Sequence, residues 1–205
     1  MRGGRGGTRE RGAALLVALF MLVAILLMGA SAAQLALQGE RAARAARDWQ
    51  LAFQAAEEAL MDAENDIEGG AGATGRSAMF APDSAQGFVA GCGAGGASQG
   101  LCLHGAEGAA PVWQSVDFDA DGAAARSVPY GQFTGAAMAI GAGALPFRRP
   151  RYIIELLPYA AEGEEAGAQR AYCYRVTAIG FGARDSSQVV LQSVYRKRGA
   201  AGGAG

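Results

Sequence analysis

The hydrophobic pattern begins with a long apolar run near the N-terminus. Residues 13–39 contain no charged side chain, and their apolar centre, Ala13–Ala33, has 21 residues. As a helix, such a run is long enough to cross the roughly 30 Å hydrocarbon core of a bilayer. Four arginines precede it within residues 1–12, and the positive-inside rule keeps them cytoplasmic. The sequence therefore predicts a single-pass membrane helix with the rest of the chain on the outer side.

The alternative to a permanent membrane helix is a secretory signal peptide that is removed. Such a peptide has an apolar run of about 7–15 residues followed by small residues at the cleavage site. Small residues do occur here at 29–33, but the apolar run is longer than that range. We favour a retained helix and keep cleavage after Ala33 as the alternative.

The segment Glu40–Glu68 predicts that the same helix continues in water. It contains neither proline nor glycine, and two glycines follow it, which is typical of a helix that ends there. Its apolar residues recur at steps of three and four, so they share one helix face: Trp49, Phe53, Ala56, Leu60, Ala63 and Ile67. We expect the large residues Trp49, Phe53 and Leu60 to pack against a folded head.

Three segments near the C-terminus have the composition of β-strands. Arg151–Leu157, Ala171–Ile179 and Gln188–Arg196 are rich in β-branched and aromatic residues. The short connection 180–187 predicts an antiparallel hairpin between the last two. A three-stranded sheet needs a covering layer, and the amphipathic helix can supply it. The sequence therefore predicts an α+β fold, a long N-terminal helix packed on a small antiparallel sheet.

Glycine and alanine dominate the region between the helix and the strands. The chain has 32 glycines among 205 residues, about twice the usual share of roughly 7%. We expect the Gly-Ala tracts to form loops or tails and not core: 69–75, 90–100, 135–144 and 199–205. Residues 69–150 are thus predicted to be a variable loop region, and 199–205 a disordered tail.

Charge and histidine content argue against several functions. Eighteen basic and nineteen acidic residues give a net charge of -1, whereas sequence-independent nucleic-acid binders need a basic surplus. The single histidine, His104, has no nucleophile beside it in the sequence, which leaves histidine-based catalysis and most zinc sites unsupported. Gly91, Gly93 and Gly96 match G-x-G-x-x-G without the flanking strand and helix that a nucleotide site requires. We expect neither enzymatic activity nor a cofactor.

Three cysteines allow more than one pairing. Cys92 and Cys102 enclose nine residues, and a chain outside the cytoplasm can close this loop as a disulfide. A Cys102–Cys173 bond and three free thiols are the alternatives. Cys173 lies in a predicted strand, where a buried thiol behaves as a small apolar side chain.

An acidic turn resembles the start of a calcium-binding loop. Asp117, Asp119 and Asp121 stand at alternate positions, and a glycine follows at the sixth. A complete EF-hand loop has glutamate at its twelfth position, where this chain has Val128. The three carboxylates are a candidate calcium site, and a solvated acidic turn is the simpler interpretation.

The N-terminal residues resemble the class III signal peptide of type IV pilins. The basic leader ends in Arg11-Gly12 and is followed directly by Ala13-Ala14-Leu15-Leu16-Val17. Two further stretches, 46–57 and 174–196, are similar to the PilX family of minor pilins from Gram-negative type IV pili. The resemblance implies that a prepilin peptidase cleaves between Gly12 and Ala13 and that the new N-terminus is methylated.

The resemblance also implies the organisation and location of a type IV pilin. The partners would be other minor and major pilins, the prepilin peptidase, the inner membrane and a tip adhesin. The head would lie in the periplasm and, after assembly, on the extracellular pilus. The implied segments are a leader at 1–12, a helix at 13–68 (membrane or fibre core 13–37, amphipathic part 40–68), the loop region 69–150, a sheet at 151–198 and the tail 199–205.

Residue 17 departs from most pilins. The fifth position of the mature chain usually carries a glutamate, which in major pilins is thought to meet the N-terminal amine of a neighbouring subunit. This chain has Val17, so it lacks that charge in lipid, where an unpaired charge is costly. Valine fits a subunit at the tip or in the initiation complex; the alternative is a simple lipid-facing side chain.

The function implied is that of a minor pilin in type IV pilus assembly or initiation, with adhesion or twitching motility as consequences. Two alternatives remain. One is a tip pseudopilin of a type II secretion system. The other is an unprocessed single-span periplasmic binding protein, which would keep its N-terminus intact.

Overall fold

A computed structural model describes residues 10–70, 76–106, 108–159 and 171–197, with side chains from residue 13 onward. The expected leader residues 1–9, the tract 71–75 and the tail 199–205 lie outside the described residues. The described residues form one long α-helix, α1 (Glu10–Glu68), and five strands: β1 (Leu101–Leu103), β2 (Val128–Pro129), β3 (Arg151–Tyr159), β4 (Ala171–Phe181) and β5 (Gln188–Tyr195). The α+β prediction is confirmed.

The chain divides into two units, one ending at Ala46 and one beginning at Arg47. In the first unit the described part is helix, and every side chain from Ala13 to Ala46 is exposed. Among the described residues, α1 is the helix that is long and apolar enough to cross a membrane, judged by length and composition. Such a surface is unfavourable in water and suited to lipid.

The second unit is built on a sheet with strand order β1-β3-β4-β5, and β2 also pairs with β3. Strands β3, β4 and β5 form the expected antiparallel meander, with Ile154 opposite Val176 and Val176 opposite Ser193. β3 does not stop before Pro158, as the sequence predicted, but continues to Tyr159. The sheet is mostly antiparallel; the exception among its strand pairs is β1, which runs parallel to β3.

The helix face that packs on the sheet is lined by small side chains, which corrects the prediction made from the large ones. Trp49 is 55% exposed and stacks on Phe53, with ring centroids 5.4 Å apart. Phe53 and Leu60 are only partly buried, at the border of the core. The fully buried residues of this face are Ala52, Ala56, Ala59, Ala63 and Ile67.

Gly180 on β4 explains why alanines occupy this face. A Cβ atom at position 180 would lie 2.1 Å from the carbonyl oxygen of Ala52 and 2.3 Å from the amide nitrogen of Ala56. The backbones of helix and strand therefore approach too closely for any side chain larger than alanine between them. The large residues at 49, 53 and 60 are consequently displaced to the sides of the contact.

The Gly-rich middle contributes to the core, which corrects its assignment to loops alone. It supplies β1 and β2, and its isolated apolar residues are buried between the glycines: Phe80, Phe88, Val112, Val116, Phe118 and Phe133. One group joins the core between α1 and the sheet, and the other covers Ile153, Ile179 and Phe181 on the opposite sheet face. Residues spaced so irregularly leave no periodic pattern in the sequence, and so the prediction missed them.

Candidate functional site

The expected processing junction lies in the first turns of α1. The helix begins at Glu10, so Gly12 and Ala13 are both helical. Ala13 and Val17 are four residues apart and thus neighbours on the helix surface. A mature N-terminus at Ala13 would have Val17 beside it, and residues 13–39 offer no carboxylate. Cleavage at this junction stays a prediction.

The first unit presents a continuous apolar surface. Its large apolar side chains between Leu15 and Leu37 are 44% to 74% exposed. With no charge from residue 13 to 39, this surface can lie in lipid or against other apolar helices without burying an ion. The chemistry of this part of the chain is therefore that of anchoring and helix packing.

Three aspartates of α1 connect the helix to the rest of the second unit, and the first is Asp48. Its carboxylate is 6% exposed and accepts hydrogen bonds from the Ala183 amide (2.6 Å), from Nε of Arg184 (3.1 Å) and from the Ser187 hydroxyl. These hydrogen bonds lower the pKa of Asp48 despite its burial, and the bond from Ser187 has the largest effect. Asp48 thereby attaches the helix to the β4–β5 turn.

The second is Asp62, which is 2% exposed. It accepts a hydrogen bond of 2.7 Å from the Gly131 amide and one from the Thr134 hydroxyl. The loop has no regular structure, so its polar groups lack the hydrogen-bond partners that a helix or sheet would supply. The Asp62 carboxylate takes their place as acceptor. Asp62 thus fixes the loop that follows β2.

The third is Asp66, which takes part in a buried polar cluster. Tyr152 donates a hydrogen bond of 2.9 Å to Oδ2 of Asp66, and Nη2 of Arg76 lies 3.3 Å from the same oxygen. Burial raises the pKa of Asp66 to about 6, because desolvation outweighs the attraction of Arg76. Burial also raises the pKa of Tyr152. The Arg76 guanidinium lies 3.9 Å from the ring centre of Phe133.

Sequence reasoning missed all three aspartates, because each resembled an ordinary residue on the polar face of a helix. A signal was nevertheless present. Asp62 and Asp66 are four residues apart, and each directly precedes a buried residue of the contacting face, Ala63 or Ile67. They therefore lie at the edge of the contact with the sheet.

The structure joins Cys92 and Cys102 in a disulfide, with Cα atoms 4.0 Å apart. The bond belongs to the apolar group that covers the second sheet face. Cys173 is a free, buried thiol on β4, and burial raises its pKa. The alternative pairing of Cys102 with Cys173 is therefore not the one formed.

The three carboxylates of the acidic turn do not converge on a cation site. Asp119 pairs with Arg148 and Asp121 with Arg151, while Oδ1 of Asp117 accepts a 2.8 Å hydrogen bond from the Asp119 amide. No group of three metal-binding side chains occurs within the described ranges. Arg148 and Arg151 thus neutralise two of the three carboxylates, which the sequence did not reveal because these arginines are about thirty positions away.

His104 is also part of an ion-pair cluster. Its Nδ1 lies 2.6 Å from Oε1 of Glu155, and Arg175 donates two hydrogen bonds of 2.9 and 2.6 Å to Oε2. Glu155 is 1% exposed and is neutralised by this arginine. The cluster holds β1, β3 and β4 together at one point of the sheet and offers no nucleophile.

A comparison with protein families matches residues 98–197 to the family described as type IV pilus assembly protein PilX, C-terminal region. The matched residues contain all five strands and the β4–β5 turn that binds Asp48. No curated protein and no solved structure matches the chain.

Proposed function

Because the match over residues 98–197 makes this chain a member of the PilX family of type IV pilus assembly proteins, we propose that this minor pilin acts at the pilus tip, in the complex that initiates the fibre. The observation that carries the proposal is the combination of this family's sheet with a helix that has no charge from residue 13 to 39. Such a chain can be stored in the membrane and then assembled.

The mechanism is a transfer of the apolar helix from lipid into a bundle of similar helices. Residues 13–37 leave the bilayer and pack among the N-terminal helices of other minor and major pilins. The transfer exchanges one apolar surrounding for another, so packing and polar contacts decide where the subunit binds. The absence of a carboxylate at Val17 supports a position at the top of the fibre, since no neighbour's N-terminal amine has to be neutralised there.

The head contributes by contacts and not by catalysis. Asp48, Asp62 and Asp66 fix the head portion of α1 to the turn, loop and sheet around it. A subunit pulled through its helix thus moves its head as one body. The head would lie in the periplasm while the helix is in the inner membrane, and would then be displayed outside the cell. Contacts with a tip adhesin, and effects on adhesion or twitching motility, belong to the same proposal.

The proposal includes maturation by a prepilin peptidase between Gly12 and Ala13. The test is the intact mass of the membrane-extracted protein from cells with and without the host prepilin peptidase. We expect a chain that begins at methylated Ala13 only when the peptidase is present. Gly12→Val should block processing, whereas the matched change Gly7→Val should leave it intact.

A chain that keeps residues 1–12 in both strains would support the unprocessed periplasmic binding protein. Cleavage after Ala33 would support a secreted protein. Correct processing together with loss of surface pili on deletion supports the pilus. Correct processing together with loss of type II secretion and normal piliation would favour the pseudopilin.

A further inference from the structure

β5 is an open edge of the sheet. It pairs with β4 on one side, and in the part of the chain that the structure describes no strand pairs with its other side. The opposite end of the sheet is protected differently, because β1 has three residues and β2 has two. β5 has eight residues without charge or proline, and its register with β4 continues without a bulge. Proteins usually shield a long edge with one of these devices, and an edge without them accepts another strand.

The geometry of the hairpin identifies the backbone groups that face outward. The Gly182 amide donates a 2.7 Å hydrogen bond to the carbonyl oxygen of Ser187 at the turn. In an antiparallel ladder, bonded and non-bonded pairs alternate, so Val189, Leu191 and Ser193 bond to β4. The amide and carbonyl groups directed to the open edge are then those of Gln188, Val190, Gln192 and Val194.

Apolar side chains lie on both sides of this edge. On the face away from the helix, Val190 is 39% and Val194 is 67% exposed. On the helix side, Phe53 packs against the group that contains Val189, and Trp49 stacks on Phe53 while more than half exposed. A strand added here would therefore contact apolar surface with both sets of its alternating side chains.

We propose that the open edge of β5 binds an extended, uncharged segment of another pilus subunit, with apolar residues on both of its faces, which continues the sheet. The backbone groups of four residues specify an extended strand as the occupant, because other conformations cannot pair with them. The uncharged edge and its valines specify the side chains. The identity of the partner as a pilus subunit rests on the proposed function.

A second copy of this chain is the alternative occupant of the edge. Two β5 strands would pair in an antiparallel manner about a two-fold axis perpendicular to the sheet. Such pairing would protect the outward amides of the isolated protein in a way that rises with concentration, and the test below separates this result from binding of a different subunit.

The test is hydrogen–deuterium exchange of the full-length protein in detergent, resolved to single amides. The protein is measured alone and after co-expression and co-purification with the other minor pilins of its host. Alone, the Val190 and Val194 amides should exchange fast, and those of Val189 and Leu191 slowly, because β4 already protects them. In the complex, exchange at Val190 and Val194 should slow about tenfold or more. This alternating pattern distinguishes strand addition from contact through side chains.

Two variants test the edge directly. Val194→Pro removes an outward amide and no bond to β4, and should reduce co-purification about tenfold. Val194→Thr keeps the amide and the strand preference and should bind as the wild type does; the melting temperature of each variant establishes that it is folded.

Several results would overturn the inference. One is fast exchange of the Val190 and Val194 amides in the complex. Another is protection of these amides in the isolated protein. Protection at all concentrations would mean that the edge is already covered, and protection that rises with concentration would mean that a second copy binds there. If the correctly processed wild-type protein does not co-purify with another minor pilin, the inference fails and the proposed function stands. An unprocessed N-terminus counts against the proposed function.

Discussion

Tyr152 on β3 donates a buried hydrogen bond of 2.9 Å to Asp66 on α1, across 86 positions of the sequence. Arg76 completes the cluster by approaching the same carboxylate at 3.3 Å and by donating a 2.7 Å hydrogen bond to the carbonyl oxygen of Gln99. All three side chains are almost fully buried. The cluster therefore connects the end of the helix, the segment after it and the sheet at one point of low dielectric constant, where charge has large effects.

Removal of Arg76 should destabilise the head at neutral pH. Arg76→Met leaves the Asp66 carboxylate buried without its cation and should lower the free energy of unfolding by about 3 kcal/mol. The loss should shrink at pH 4, where Asp66 is protonated. Chemical denaturation of the full-length protein in detergent measures both values. Arg149→Met is the matched control, since Arg149 is exposed, and an equal effect of the two changes would contradict the prediction.

Asp66 should also make the stability of the head depend on pH. Its pKa rises from 3.8 to about 6 on folding, so the folded state binds the proton more tightly than the unfolded state. The contribution of Asp66 to the free energy of unfolding is fully present below about pH 4 and falls as the pH rises towards 6. Above that pH it no longer changes. The total loss is about 3 kcal/mol, because one pKa unit corresponds to about 1.4 kcal/mol.

Asp66→Asn removes this titration and resembles the protonated side chain. We expect the variant to equal the wild type near pH 4 and to exceed its stability at pH 7 by up to about 3 kcal/mol. The difference between the two proteins isolates Asp66 from Asp48, whose lowered pKa has the opposite sign and costs stability only in stronger acid. A difference that stays constant from pH 4 to 7 would show that Asp66 does not titrate in this range.

The sequence predicted the order of the elements well and the contact between them poorly. The membrane segment, the helix to Glu68 and the three-stranded meander follow from local composition and periodicity. The centre of the contacting helix face does not, because two overlapping stripes of α1 have helical spacing. They share Ala56, Ala63 and Ile67. They differ in the remaining residues, which are Trp49, Phe53 and Leu60 in the predicted stripe and Ala52 and Ala59 in the buried one. A glycine more than one hundred positions later, Gly180, decides between them by the close approach that it allows.

Gly180→Ala tests this explanation. The added methyl group would overlap the backbone of Ala52 and Ala56 and must push the helix from the sheet, which should cost about 3 kcal/mol of stability. Gly39→Ala is the matched control, because a Cβ at that helical position meets nothing within 4 Å. We expect the melting temperature of the head to fall clearly for the first variant and to stay unchanged for the second. Similar melting temperatures would mean that the backbone contact is looser than described.

The sequence did not predict the buried polar groups for a related reason. Asp48, Asp62 and Asp66 each find their partners in turns and loops far along the chain. Local pattern assigns a charged residue to solvent unless a partner is known. The sequence left the acidic turn open between a calcium site and a solvated turn for the same reason, since Arg148 and Arg151 become its neighbours only when the sheet forms.

The disulfide should stabilise the second face of the sheet. Cys92 and Cys102 close a short loop that packs on Ile153 and Phe181, and the chain-entropy model gives about 3 kcal/mol for such a loop. Replacement of both cysteines by serine should lower the free energy of unfolding by about that amount. A reducing agent should do the same to the wild type and nothing further to the double variant. Equal free energies of unfolding for the oxidised wild type and the double variant would show that the bond contributes nothing.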